Sequence, residues 1–211
     1  IDAKKLVGEP TRMTYTYYDE DDDEETASFS EAHILYNQER YDGTDYSVLA
    51  PENGTITMID NNHDGEYEVV VIDAYIIMVV DIRNDYDYEI LGKYGDRISL
   101  KPEDHEEIKY FDEDGNEVQF TSIGEENVLS IFESVDGKYI SVIVGKSTVS
   151  GTLEGVSKDD NECVIDGVTY GFAEELVSAV NGGMIASYIA GRKYTFYLTH
   201  TGDIMYYKEE S

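Results

Sequence analysis

The sequence predicts a mostly-β protein of two small barrel- or sandwich-like units, OB-like barrels among the options, with one short helix. Three observations carry this expectation. Short segments rich in Val, Ile, Thr and Tyr recur at regular spacing, Asp-Gly and Gly-Asp pairs punctuate them, and only one segment has helical spacing. The nineteen tyrosines agree with it, since a tyrosine ring packs on a pleated sheet while its hydroxyl reaches water.

Thr11 to Tyr18 alternates and reads as a strand, and Asp19 to Glu25 is too densely charged to be buried, so it makes a solvated hairpin tip or a loose loop. Ala27 to Tyr36 carries both a capping-box pair, Ser28 and Glu31, and a strand-like end at Ile34-Leu35-Tyr36; the strand is preferred. Gly54 to Ile59 and Glu66 to Ile72 form a hairpin across an acidic loop, and Ile76 to Ile82 and Asp96 to Leu100 follow as strands. Asp112 to Asn116 is a turn between Ile108–Phe111 and Glu117–Phe120, because Asp-Gly tolerates positive φ. Asp136-Gly137 joins Val128–Glu133 to Lys138–Val144 in the same way. Thr148–Val156, Glu162–Asp166 and Val168–Phe172 continue the pattern.

Ala173 to Val180 is the expected helix: Glu174 and Glu175 suit its first turn, Leu176, Val177 and Val180 form a stripe, and Asn181-Gly182-Gly183 ends it. Tyr194–Thr199 and Ile204–Tyr207 close the chain around Gly202-Asp203. The expected division is an N-terminal β-rich domain over 1–145 and a small barrel-like domain with the helix over 146–211. Asp64-Gly65-Glu66-Tyr67 is echoed by Asp136-Gly137-Lys138-Tyr139, which fits either related modules or the local recurrence of Asp-Gly turns.

Fifteen basic and forty-six acidic residues leave a net charge of −31. That field repels nucleic acid and anionic lipid and attracts cations, so neither nucleic-acid binding nor membrane insertion is expected. The longest apolar run, Val69 to Val80, is broken by Asp73 and too short to span a bilayer. Cys163 is the sole cysteine, which excludes an internal disulfide and a cysteine metal cluster. The chain opens on Ile1, and a trimmed or mature fragment is expected, from which any export signal or anchor would have been removed.

The residues that point to chemistry lie in one loop. Asp60, Asn62 and Asp64 alternate before Gly65, which is the spacing with which oxygen ligands surround a calcium ion. Glu66 could add its carbonyl and Glu68 stands at the ninth position, whereas the twelfth is Val71, so the loop is not a complete EF-hand. A polar hairpin turn without metal is the alternative. If calcium binds, an affinity of about 10⁻⁴ M is expected, worth about 1.4 kcal/mol at about 1 mM calcium.

No catalytic residue is expected. Gly145-Lys146-Ser147-Thr148 lacks the earlier glycine of a phosphate-binding loop, Ile140 standing there. His33, His63, His105 and His200 show no zinc spacing, and Cys163 has no nucleophile signature. With so many acids, a pair at glycosidase distance has no specificity. Asn53-Gly54-Thr55 is a formal glycosylation sequon.

Four segments in order, Thr57 to Tyr67, Asn127 to Ser130, Val149 to Leu153 and Val164 to Tyr170, resemble β-rich modules of Gram-positive cell-surface proteins that carry S-layer homology repeats. The resemblance implies an exported, extracellular, non-catalytic structural or interaction module at the bacterial cell surface. Its partners would be cell-envelope components or other surface proteins; its oligomeric state is left open. The wall-gripping repeats themselves are absent from this segment. The alternatives are a carbohydrate-active hydrolase using paired acids and a glycan-binding module using tyrosines such as Tyr15, Tyr17 and Tyr18.

Overall fold

The computed structural model describes residues 1–157, 159–179 and 190–210. Among these residues the secondary structure is mostly β with one short α-helix, as the alternating segments predict. By contacts the chain falls into two units, the first made of Ile1–Ile76, His105–Glu107 and Phe132–Ile140, the second of Ile77–Asp104, Ile108–Ile131 and Ser141–Ser211. This division differs from the expected 1–145 and 146–211, because strands from 77 to 131 cluster with residues beyond 140. Long-range strand pairing sets such a grouping, and local composition carries little trace of it.

In the first unit, β1 (Thr14–Tyr18) and β2 (Glu24–Ser28) form an antiparallel hairpin. Asp19 to Asp23 form its tip, whereas Glu24 and Glu25 of the same acidic run pair with Tyr18 and Tyr17 inside the ladder. The tip is ordered locally, the Asp19 carboxylate accepting the Asp21 and Asp23 amides at 2.9 and 3.0 Å. A second sheet contains β3 (His33–Tyr36), β4 (Glu39–Tyr41), β5 (Gly54–Ile59) and β6 (Val69–Ala74) in the order β4-β3-β6-β5. Ala27 to Tyr36 is thus two strand segments rather than one, with Phe29 between them. β3 runs parallel to β6, and a parallel pair cannot be closed by a tight turn, so β4 and β5 fill the crossover.

The burial of β6 alternates residue by residue, which places Val70, Ile72 and Ala74 in the core. They meet Tyr15, Phe29, Ile34, Leu49 and Ile56 from the surrounding segments. The Tyr15 and Phe29 rings stack at 4.8 Å between centroids, and the Tyr15 hydroxyl donates to the Leu49 carbonyl at 2.8 Å. Burial pushes that phenol far above its ordinary value, since phenolate cannot be solvated there.

A seven-stranded sheet takes in β7 (Ile76–Asn84), β8 (Glu89–Gly92), β9 (Arg97–Ser99), β10 (Glu107–Asp112), β11 (Glu117–Val118), β12 (Val128–Glu133) and β13 (Tyr139–Gly145). Its order is β11-β10-β13-β12-β7-β8-β9. Ile77 to Val80 of β7 are buried without alternation, which identifies a strand covered on both faces. β4 and β8 are additions to the strands expected from sequence: both are short and carry charge, so neither shows a long alternating run.

The five-stranded sheet, in the order β16-β15-β14-β17-β18, is built from β14 (Thr148–Ser157), β15 (Glu162–Ile165), β16 (Val168–Gly171), β17 (Lys193–Leu198) and β18 (Ile204–Glu209). The helix α1 spans Glu174–Ala179, with both glutamates in its first turn. The expected helical residue Val180 and the stop Asn181-Gly182-Gly183 lie outside the described residues. The sheets suit a sandwich-like arrangement, and no closed barrel is seen among the described residues. Among those residues no helix is long and apolar enough to cross a membrane.

Candidate metal centre

The acidic loop connects the paired ends of β5 and β6, where Ile59 faces Val69. Asp60 organises it. Its Oδ1 accepts the Asn62 and His63 amides at 3.2 and 2.5 Å, and its Oδ2 accepts the Gly65 amide at 3.0 Å. Desolvation acts against the charged form, yet the Gly65, His63 and Asn62 amides outweigh it and hold Asp60 below the usual carboxylate range. Gly65 has φ of 92°, the left-handed bend for which a glycine is suited.

Each remaining candidate has a defined place. Asn62 Oδ1 accepts the Asp64 amide at 2.8 Å, and Asp64 Oδ1 accepts the Glu66 amide at 2.9 Å. Glu68 reaches back so that its Oε2 accepts the Asn61 amide at 2.6 Å. The Glu66 carboxylate turns the other way, 3.5 Å from Ser30 Oγ. One ligand atom from each of Asp60, Asp64 and Glu68 lies within 4.8 Å of the others. That is an all-oxygen set of three carboxylates, the hard donors that calcium or magnesium takes, and the exposed Asp64 leaves room for water.

Elsewhere the geometry corrects one expectation and locates others. Tyr15, Tyr17 and Tyr18 do not form a glycan platform: Tyr15 is wholly buried, Tyr17 half-buried and Tyr18 is 44% exposed. The two-residue period of β1 sends Tyr18 to the face opposite Tyr15 and Tyr17. Asn53 of the sequon is only 4% exposed, which closes it to a glycosylating enzyme in the folded chain. Cys163 is buried, and burial, helped by Glu162, pushes its thiol up to about 12, far from a reactive thiolate.

Sequence reasoning missed one pairing. Ser130 on β12 and His200, which follows β17, lie seventy residues apart, and Ser130 Oγ is 2.6 Å from His200 Nδ1. No local motif could have joined them. Ser130 is 0% exposed, so no substrate reaches its hydroxyl, and the contact satisfies that buried group with a half-buried imidazole.

Burial lowers the His200 pKa from 6.5 against the opposing pull of Glu113 and Asp203. A histidine with a lowered folded pKa is stabilising while neutral, and that contribution is present above the unfolded pKa. It is lost as pH falls below about 6.5 towards the folded value, where the unfolded chain binds the extra proton. Urea midpoints taken between pH 7.5 and 5 should therefore fall for the native chain and fall less for His200→Asn. Equal slopes would show that His200 is not the group responsible. Asp45, Asp112 and Asp136, each lowered by local hydrogen bonds from an ordinary 3.8, act in a separate and more acid window.

The arrangement defines a β-rich protein with a self-organised carboxylate loop. No protein-family model matches the chain, and no curated protein matches it.

Proposed function

We propose that this chain is a non-catalytic structural or interaction module of an exported bacterial cell-surface protein, with calcium stiffening the loop between β5 and β6. The observation that carries the calcium part is the convergence of Asp60, Asp64 and Glu68. The net charge of −31 favours it too, because a divalent cation relieves self-repulsion where carboxylates crowd. Partners in this reading are cell-envelope components or other surface proteins.

The non-catalytic part is supported by the groups best suited to chemistry. Ser130 is sealed from solvent and the Cys163 thiol is held protonated. Among the described residues, every carboxylate with a resolved shift is moved downward: Asp45, Asp60, Glu106, Asp112 and Asp136. A hydrolase that protonates a leaving group needs one moved upward.

Calcium at about 1 mM is expected to raise the melting temperature by a few degrees, more than matched magnesium does, since magnesium gives up its water less readily. Asp64→Ala should abolish the difference between the two ions. Superimposable melting curves in calcium and magnesium, or an unchanged calcium response in Asp64→Ala, would remove the metal from the proposal.

A further inference from the structure

A groove of about 220 Å³ in the first unit is lined by Tyr36 and Tyr41, the charged side chains of Glu39, Arg40 and Asp136, and Val135. It joins the β3–β4 hairpin to the segment that follows β12. Two half-buried phenol rings and a half-exposed valine stand there beside one guanidinium and two carboxylates.

The groove is held in shape before any ligand arrives. Asn37 and Gln38 make a tight turn with φ of 46° and 71°. The Asn37 side chain accepts the Ala74 amide at 2.8 Å and donates to the carbonyls of Ala74 and Glu133 at 2.9 and 2.7 Å. One amide thus fixes both walls. The Tyr41 hydroxyl donates to the Asp45 carbonyl at 2.7 Å, and its ring occupies the space a Cβ would need at Gly43. Ser134 Oγ and the Lys138 amide hold Asp136 Oδ1 at 2.9 and 3.1 Å. Asp42 holds Arg40 by its Nε at 2.8 Å, which leaves the Nη groups as donors.

We infer that this groove binds a neutral oligosaccharide through Tyr36, Tyr41, Glu39, Arg40 and Asp136. A pyranose ring has an apolar C–H face for the tyrosine rings and an edge of hydroxyls that both donate and accept. Arg40 supplies donors to that edge, and Glu39 and Asp136 supply acceptors. Charge selects the class: the local surplus of carboxylates and the net charge of −31 repel uronate- or phosphate-bearing polymers. This inference rests on the interaction-module reading and names a ligand for it.

Calorimetric titration with cellotetraose, maltotetraose and tetra-N-acetylchitotetraose, with trigalacturonate as the anionic comparison, tests the inference. At least one neutral sugar should bind, with Kd on the order of 10⁻⁴ M for so open a site. Glu39→Gln and Arg40→Gln should each weaken it about tenfold or more, as lost hydrogen bonds to charged groups do. Both side chains are exposed, so the fold should survive, and unchanged melting would show that it has. Tyr86→Ala, whose ring is 91% exposed in the second unit, should leave binding unchanged.

Absence of heat with all three neutral sugars overturns the inference, as does full-strength binding by both groove variants or tighter binding of trigalacturonate. A shortened sugar after incubation would instead defeat the non-catalytic reading, and the calcium melting experiment is independent of both results.

Discussion

Phe29→Ala is expected to destabilise the first unit by about 3–5 kcal/mol, among the largest effects of any single side-chain truncation there. Phe29 is fully buried, stacks on Tyr15 and lies in the cluster with Leu49, Ile56, Val70 and Ile72. Its loss leaves a cavity between two sheets whose backbones are pinned by their own ladders, so collapse around the gap is limited. Urea unfolding followed by tyrosine near-ultraviolet circular dichroism measures the effect. Phe29→Leu should cost markedly less, because most of the volume is retained. A cost below about 1 kcal/mol for alanine would mean that the ring does not fill this core.

Gly54→Ala is the second large effect, and it acts through the backbone. Gly54 opens β5 opposite Ala74 and has φ of 141°, a conformation that side chains rarely adopt. A Cβ there would drive into the Asp73 carbonyl oxygen and stand 3.0 Å from the Ala74 Cα. Neither obstacle is a flexible side-chain end, so relief requires β5 and β6 to separate. Strain and overpacking together are expected to cost about 3 kcal/mol or more. Hydrogen exchange should show the loss spreading along the amides of β5 and β6. Because the same two strands carry the acidic loop, the calcium response should weaken with it. Native stability in Gly54→Ala would refute this close approach of the strands.

The two substitutions show how differently parts of this fold are written. The space around Gly54 depends on its partner strand, so its glycine is no more conspicuous in the sequence than any other. The acidic loop was legible because its carboxylates are close in sequence: the spacing from Asp60 to Glu68 needs only a local bend to bring them together. The Tyr36–Tyr41 groove was not, since Val135 and Asp136 arrive from almost a hundred residues away. The Ser130–His200 contact was hidden for the same reason.

Strand identity followed from alternation and from Asp-Gly turns, both properties of neighbours in the chain. Those determined the mostly-β class, most of the hairpins and the candidate metal loop without reference to anything distant. A two-residue period divides a strand into two faces but does not say which face meets another sheet. Tertiary packing made that choice: it buried Tyr15 and left Tyr18 partly in water, laid β3 parallel to β6, and grouped the strands from 77 to 131 with the C-terminal ones.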